Sequence, residues 1–248
     1  MRVRLGTIVW AIGVAGCVAL ATAVARPAPS RAELDAGAPT DVEHVFLRDC
    51  ATCHGADARG TDLGPDLRGA GTAGIDYQLS TGRMPLSSPD AEPERGTAKY
   101  SPAKIRALVA YVHALVGGGP AIPTVDAATG SLQAGGTIYQ LNCAACHTWS
   151  GDGGALLNRQ APSVHAATEE QIAEAIRTGP GNMPAFGTAA ITHEQLDSVI
   201  RYVRQLDHPD DRGGWPLGHL GPLAEGAVAI LVALGVLVLA IRWIGTRT

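Results

Sequence analysis

Aromatic side chains are scarce in this chain of 248 residues: phenylalanine, tryptophan and tyrosine make up 4% of it, and only two residues are phenylalanine. Methionine is rarer still, with three including the initiator. A domain of about 80 residues is marginal on its own apolar burial and depends on large side chains to fill its core. We therefore expect a large, flat group that is not a side chain to complete the core of each domain.

Positive charge is also scarce in the middle of the chain. Between residues 27 and 222 there are 14 arginines or lysines against 22 aspartates or glutamates. A surface with this balance repels a phosphate backbone, so nucleic acid is excluded as a partner. Basic residues instead flank two long apolar segments near the ends, with Arg2 and Arg4 before the first and Arg242 and Arg247 after the second.

The C-terminal apolar segment predicts a transmembrane helix over residues 220–243. Leu220 to Ile241 contains one charged residue, Glu225, near its start. As a helix this segment is about 33 Å long, enough to cross a bilayer. By the positive-inside rule Arg242 and Trp243 lie at the cytoplasmic surface, which places the rest of the chain on the extracytoplasmic side of the cell membrane.

The N-terminal apolar segment, within residues 1–26, has three interpretations that stay open. Residues 23–25, Ala-Val-Ala, are typical of a signal-peptidase site, and the segment is also long enough for a retained anchor. Residues 14–17, Val-Ala-Gly-Cys, resemble a lipobox, although apolar residues continue beyond Cys17. Residues 27–40, rich in proline and alanine, are expected to form a tether.

The part between the apolar segments is expected to contain two tandem helical domains, so the fold class is all-α. The first repeat spans 41–116 and the second repeat 127–207, separated by a Gly and Pro linker at 117–126, with another linker at 208–219. Each repeat is expected to open with a short helix before its cysteines and to close with an amphipathic helix. The apolar positions of the closing helices are Ile105, Leu108, Val109 and Val112 in one, and Leu196, Val199, Ile200 and Val203 in the other.

Capping signals precede both closing helices. Ser101 is expected to be the N-cap of the first, with Pro102 at its first position, and Thr192 with Gln195 predicts a capping box at the second. A tyrosine recurs at matching places within these helices, Tyr111 and Tyr202.

Each repeat carries one C-x-x-C-H motif, and the two motifs are 93 residues apart. This motif is typical of c-type haem attachment, in which two thiols bind the porphyrin and the histidine binds iron. Redox dithiols and four-cysteine zinc sites also use C-x-x-C, but neither requires a histidine after each pair. We expect two covalently bound c-type haems. The attachment cysteines are Cys50, Cys53, Cys143 and Cys146, and the axial histidines are His54 and His147.

The opposite axial position of each iron decides between electron transfer and reaction with a substrate. Met84 and Met183, the only methionines besides the initiator, lie one in each repeat in similar Gly and Pro contexts, so they are predicted to be the other iron ligands. The alternative is a second histidine. His165 is the best candidate for it, because His113 and His193 lie in or beside the closing helices.

Two prolines are predicted to orient the axial histidines. A ligating histidine usually donates its other ring N–H to a carbonyl. Pro65 in G-P-D-L and Pro162 in A-P-S-V occupy comparable places after the two motifs. Their carbonyl oxygens are the predicted acceptors, and an ordinary turn is the alternative.

Each repeat resembles the class I cytochrome c family in its C-x-x-C-H motif, its methionine in a G-x-M-P loop and its closing helix with tyrosine. The tandem arrangement, residues 179–186 (G-P-G-N-M-P-A-F) and residues 213–226 (G-G-W-P-L-G-H-L-G-P-L-A-E-G) are similar to the dihaem cytochrome c subunits of actinobacterial menaquinol reductases, the cytochrome bcc complexes. This resemblance covers nearly the whole chain.

The resemblance implies an electron-transfer subunit of a quinol:cytochrome c oxidoreductase, with no catalytic residue or substrate site of its own. Implied partners are a cytochrome b subunit, a Rieske iron-sulfur protein as donor, and cytochrome c oxidase as acceptor. The first haem would accept the electron and the second would donate it. The alternatives are a dihaem shuttle or oxidase subunit outside such a complex, and a dihaem peroxidase or dehydrogenase.

The acidic loop of residues 86–99 lengthens the first repeat relative to the second. It has two interpretations, a docking surface and a solvated loop, and the second is favoured.

Overall fold

The computed structural model describes residues 39–156, 159–209 and 222–246. The predicted signal peptide, anchor or lipobox and nearly all of the tether lie outside the described residues. The chain divides into a unit that ends at His44 and a compact unit that begins at Val45. Both cysteine motifs belong to the second of these units. The predicted boundaries of the two repeats stay a prediction.

Helices dominate the described part of both repeats, as the sequence predicted. The first repeat contains α1 (Pro39–Asp49), α2 (Ala51–His54), α3 (Gly71–Ser80) and α4 (Pro102–Val116). The second repeat contains a 3₁₀ turn (Ala127–Thr129), α5 (Leu132–Asn142), α6 (Ala144–His147), α7 (Glu169–Thr178) and α8 (His193–Asp207). A short antiparallel hairpin, β1 (Gly154–Leu156) with β2 (Arg159–Ala161), was not predicted and pairs Gly154 with Ala161.

The predicted closing helices and their caps are confirmed. The Ser101 hydroxyl accepts a hydrogen bond from Lys104 N at 3.3 Å, and Pro102 begins α4. The Thr192 and Gln195 side chains form both hydrogen bonds of a capping box at the start of α8. All of the predicted apolar positions are buried: Ile105, Leu108, Val109, Val112, Leu196, Val199, Ile200 and Val203.

Each closing helix packs on the helix that leads into the cysteines. The rings of Phe46 and Tyr111 lie 5.6 Å apart between their centroids in the first repeat, and those of Tyr139 and Tyr202 lie 5.4 Å apart in the second. In the second repeat α5 and α8 come into backbone contact, because a Cβ at Gly135 would overlap the carbonyl of Ser198. Each of these helix pairs fixes the start of a cysteine motif against its domain core.

Two helices that the sequence analysis did not predict, α3 and α7, join the repeats. Helix α3 packs on α4 of its own repeat and on α7 of the other. Ala73, Ile75, Tyr77 and Leu79 are all buried along it, so its apolar positions alternate instead of following one stripe. Helix α7 begins with a capping box between Thr168 and Gln171.

The predicted C-terminal helix is present as α9 (Pro222–Gly245). Its residues Ala224–Gly245 have a mean hydropathy of 2.6, and none of that apolar stretch is buried inside the protein. A helix of 22 residues with this composition is long and apolar enough to cross a membrane.

Candidate functional site

Both cysteine motifs adopt the same single helical turn. In the first repeat Cys53 N and His54 N donate to Cys50 O at 3.2 and 2.9 Å. In the second repeat Cys146 N and His147 N donate to Cys143 O at 3.1 and 2.9 Å. The turn therefore places two thiols and one imidazole close together on a short segment, which is what thioether attachment and iron ligation from one motif require.

The four motif cysteines share a partly buried environment. All four in the described part of the chain are free of disulfides and partly buried. Burial raises the pKa of Cys50 and of Cys143 to about 11, and the neighbouring Asp49 carboxylate adds to the shift at Cys50. A redox dithiol depends on a thiolate with a lowered pKa, so the surroundings of Cys50 and Cys143 fit that alternative poorly.

Each motif histidine is held by a proline carbonyl. His54 Nδ1 lies 2.8 Å from Pro65 O, and His147 Nδ1 lies 2.9 Å from Pro162 O. A carbonyl oxygen can only accept a hydrogen bond, so Nδ1 carries a proton, and in the neutral ring the lone pair is then on Nε2. This tautomer is the one that a metal-ligating histidine needs.

Two glycines that the sequence analysis missed shape these contacts. Gly60 N donates to His54 O at 2.7 Å, and Gly153 N donates to His147 O at 3.1 Å. Both glycines have positive φ angles, +85° and +83°, and a Cβ at either would press on the peptide of the proline that binds the histidine. The available signal was a glycine six residues after the histidine in both repeats.

The Met183 loop is fixed by a buried arginine that sequence reasoning also missed. Arg177 Nη1 donates to Phe186 O at 3.0 Å and to Ile191 O at 2.6 Å, and burial lowers its pKa. Gly179 adopts a left-handed conformation in which a Cβ would collide with the loop backbone at Met183 and Pro184. Met183 packs against the hydrophobic core of the second repeat. The attachment cysteine Cys143 packs against the same core.

The Met84 loop is supported differently. Met84 N donates to Gln78 O at 3.0 Å, at the end of α3. Gly82, with φ +70°, packs against the backbone of Gly96, and Gly96 N donates to Thr81 O at 3.0 Å. The acidic loop of the first repeat thus folds back on the methionine loop.

The alternative histidine ligand has other partners. His165 Nδ1 lies 2.6 Å from an Asp207 carboxylate oxygen, and its Nε2 lies 3.3 Å from one of Asp152. The hydrogen bond to Asp207 and the nearby Asp152 give His165 other partners than a haem iron. His113 and His193 are exposed.

The acidic loop also reaches the second repeat, which neither interpretation of it anticipated. Arg95 Nη2 donates to Ala166 O at 2.5 Å and to Gln171 Oε1 at 2.9 Å. Gln171 Nε2 in turn donates to Ser80 Oγ at 3.2 Å. At least part of the loop therefore belongs to the contact between the repeats.

The donor set suits haem better than a bare metal ion. Each turn offers two thiols and one imidazole whose Nδ1 is held by a proline carbonyl. Beside Met84, the Arg83 Nη1 atom is buried and has no hydrogen-bond partner among the described residues. The guanidinium also lies over the Tyr77 ring, 4.9 Å from its centroid. The one buried nitrogen without an acceptor fits an anionic group, and a haem propionate has that chemistry.

Comparison with known proteins gives the family. The family model described as cytochrome c oxidase, cbb3-type, subunit III, matches residues 37–112 and again residues 130–203. The chain is 35% identical to the cytochrome bc1 complex cytochrome c subunit of Corynebacterium diphtheriae, over 100% of this chain and 95% of that protein. It is 37% identical to the subunit of the same name in Mycobacterium bovis, over 96% of this chain and 88% of that protein.

A third relative covers one repeat alone. Cytochrome c6 of Leptolyngbya boryana is 36% identical over 33% of this chain and 95% of its own length. The tandem repeats are thus cytochrome c domains that bind haem. With two such domains followed by an apolar helix, and with similarity over its whole length, the chain belongs to the family of cytochrome bc1 complex cytochrome c subunits.

Proposed function

We propose that this subunit carries two covalently attached c-type haems and conducts electrons from a Rieske protein of a menaquinol-oxidising complex to cytochrome c oxidase. Thioethers form at Cys50, Cys53, Cys143 and Cys146. The axial ligands are His54 with Met84 and His147 with Met183. When bound, the haem iron supplies one-electron transfer between Fe(III) and Fe(II).

The observation that carries this proposal is the matched pair of histidine contacts. Pro65 O and Pro162 O fix the same tautomer at two equivalent turns, at 2.8 and 2.9 Å. An enzyme that acts on a substrate at one haem would need one iron with an open axial position. Here the histidine contacts of the two sites are alike. With Met84 and Met183 as the proposed second ligands both irons would be closed, which supports conduction.

The remaining assignments follow from this role. Helix α9 anchors the subunit, with the haem domains on the extracytoplasmic side and the C-terminus in the cytoplasm. Cytochrome b and the Rieske protein are its partners within the complex. The first haem would accept the electron and the second would donate it.

A solubilisation experiment tests the partners. If the proposal is correct, the tagged chain in mild detergent brings down cytochrome b and a Rieske protein, and each haem shows a separate redox transition. Absence of both proteins from the solubilised assembly would contradict it. That result would favour a dihaem oxidase subunit, which the match to a cbb3-type oxidase model supports.

Carbon monoxide tests whether both irons are closed. Two methionine ligands should leave the spectrum of the reduced protein unchanged after addition of carbon monoxide. Rapid binding at one haem would contradict the proposed ligands and favour a dihaem peroxidase or dehydrogenase.

A further inference from the structure

Two arginines in the first repeat carry positive charge that no acidic side chain neutralises. Arg83 directly precedes Met84, and Arg95 lies in the acidic loop. Neither arginine forms a salt bridge within the described part of the chain. The carboxylates of the acidic loop are exposed instead: Asp90, Glu92 and Glu94. Two cations close to the methionine loop therefore lack an anionic partner.

The guanidinium of Arg83 is held in place, but its hydrogen-bonding groups are not all satisfied. It lies over the ring of Tyr77, 4.9 Å from the centroid, and Tyr77 is itself buried on α3. The Nη1 atom of Arg83 is buried and has no hydrogen-bond partner among the described residues. The ring attracts the positive charge, while the buried nitrogen still needs a hydrogen-bond acceptor.

The charge of Arg95 adds to this positive region. Burial and the charge of Arg83 lower the pKa of Arg95, so the two guanidinium groups act on each other. Arg95 is held by Ala166 O and Gln171 Oε1 of the second repeat. Like charges that face each other without an anion between them repel. A bound anion would offset this repulsion and supply the acceptor that Arg83 Nη1 lacks.

The place of Arg83 in the chain selects the anion. Met84, the next residue, is the proposed iron ligand, and its backbone is fixed because Met84 N donates to Gln78 O at 3.0 Å. Consecutive Cα atoms are only about 3.8 Å apart, so a residue next to an axial ligand lies beside the haem. The haem carries two propionates, and a carboxylate matches the planar guanidinium. A propionate of the first haem is therefore the anion at hand.

The second repeat lacks this arrangement. Its methionine loop has Asn182, which is uncharged and exposed, where the first repeat has Arg83. The loop that carries Arg95 lengthens only the first repeat. A positive charge near a haem stabilises the reduced state, because reduction adds negative charge to the iron centre. The two haems therefore differ in their electrostatic surroundings, although their histidine contacts are alike.

We propose that Arg83 binds a propionate of the first haem and, together with the charge of Arg95, raises the reduction potential of that haem. The contact has no counterpart in the second repeat, so it acts on one step of the electron path. Because Arg95 also binds Gln171, the positive charge near the first haem is tied to the contact between the repeats. This inference rests on the proposed covalent haem and on Met84 as its ligand.

Redox titration of the full-length dihaem chain tests the role of Arg83. Arg83→Gln should make reduction of the first haem about tenfold less favourable, a fall of about 59 mV for a one-electron couple. Arg83→Lys keeps the charge and should lose less. Arg106→Gln is the matched control, because Arg106 is exposed on α4 of the same repeat. It should leave the potentials of both haems unchanged.

Two spectra distinguish a contact with the propionate from a general effect on the haem. The long-wavelength absorption band of methionine-ligated Fe(III) haem should keep its full intensity in Arg83→Gln, since Met84 still binds the iron. The propionate bending bands of the resonance Raman spectrum respond to hydrogen bonds at the carboxylate. They should shift in Arg83→Gln and stay unchanged in Arg106→Gln. The Met183→Leu protein assigns the two redox transitions, because only that of the second haem should move.

Several results would overturn the inference while the proposed function stands. These are an unchanged potential of the first haem in Arg83→Gln, equal falls in the glutamine and lysine variants, and a lower potential without a shift of the propionate bands. Partial loss of the methionine band in Arg83→Gln would also overturn it, since Arg83 would then support the loop instead of the propionate. Absence of haem from Cys50 and Cys53 in the unmodified protein would instead contradict the proposed function, and this inference with it.

Discussion

Arg95 and Gln171, 76 positions apart and in different repeats, are joined by a hydrogen bond of 2.9 Å from Nη2 to Oε1. Gln171 also completes the capping box of α7 and donates to Ser80. One side chain thus starts a helix and binds two places in the other domain. This arrangement indicates a fixed contact between the haem domains rather than a flexible tether.

Arg95→Ala tests that contact. Loss of its two hydrogen bonds should weaken the coupling of the domains, so calorimetry should show a lower first melting transition or two separated transitions. A loss of about 1–3 kcal/mol is expected for hydrogen bonds from a charged donor. Arg59→Ala is the control, because Arg59 is exposed and pairs only with its neighbour Asp57. Identical melting curves for the two variants would contradict a role for Arg95 in the interface.

Met183→Leu tests the ligand of the second haem. Replacement of a thioether by an alkyl group should lower the reduction potential of that haem by on the order of 100 mV, since axial ligands set potentials over a wide range. The haem should stay attached through Cys143 and Cys146. Redox titration of the absorption spectrum measures the change, and the first haem provides an internal control. An unchanged potential would show that Met183 is not the ligand.

Gly135→Ala tests the packing of α5 on α8. An added methyl group would overlap the Ser198 carbonyl, so the helices must separate. We expect a loss of about 3 kcal/mol in the free energy of unfolding of the second repeat, as for other overpacked sites. Gly187→Ala is the control, because no atom lies within 4 Å of a Cβ there. Equal stability of both variants in urea denaturation would contradict the close contact.

The buried carboxyl group of Glu174 predicts how the stability of the protein depends on pH. Burial and the nearby carboxylates of Asp76 and Glu170 raise its pKa to about 9 in the folded protein, from an ordinary value of 4.5. Because the pKa is higher in the folded state, the protonated Glu174 stabilises the fold fully below pH 4.5. This stabilisation is lost as the pH rises towards 9. The neighbouring groups on α3 are Asp76 and Tyr77, the neighbour on α7 is Glu170, and Arg106 lies on α4.

The unmodified protein should therefore melt at progressively lower temperature between pH 5 and pH 8. Glu174→Gln should flatten this dependence, because glutamine does not titrate. A slope that is the same in both proteins would show that another group is responsible.

The closing helices could be predicted from the sequence, because their apolar residues recur on one face and their N-caps have characteristic side chains. Helix α3 was missed because it is buried on two sides, by α4 and by α7, so Ala73, Ile75, Tyr77 and Leu79 give no single stripe. Helix α7 carried a usable signal in Thr168 and Gln171. The contact between the repeats was not predictable, since it joins residues far apart in sequence.

The residues of the candidate site were also predictable only in part. The C-x-x-C-H motifs and the prolines are local sequence patterns that occur once in each repeat. Comparison of the two repeats therefore identified them. Arg177 acts through backbone carbonyls of Phe186 and Ile191, which have no sequence signature. Gly60 and Gly153 were visible in the sequence, but their role depends on the fold around each proline.

Conduction through both haems is tested most directly by a pre-steady-state measurement of haem reduction and reoxidation. Menaquinol is mixed with the purified complex bound to its oxidase, and the absorption of both haems is followed before and after oxygen is added. We predict that both haems are reduced and then reoxidised at least as fast as the complex turns over. Failure of either haem to be reduced, or reoxidation slower than turnover, would contradict the account.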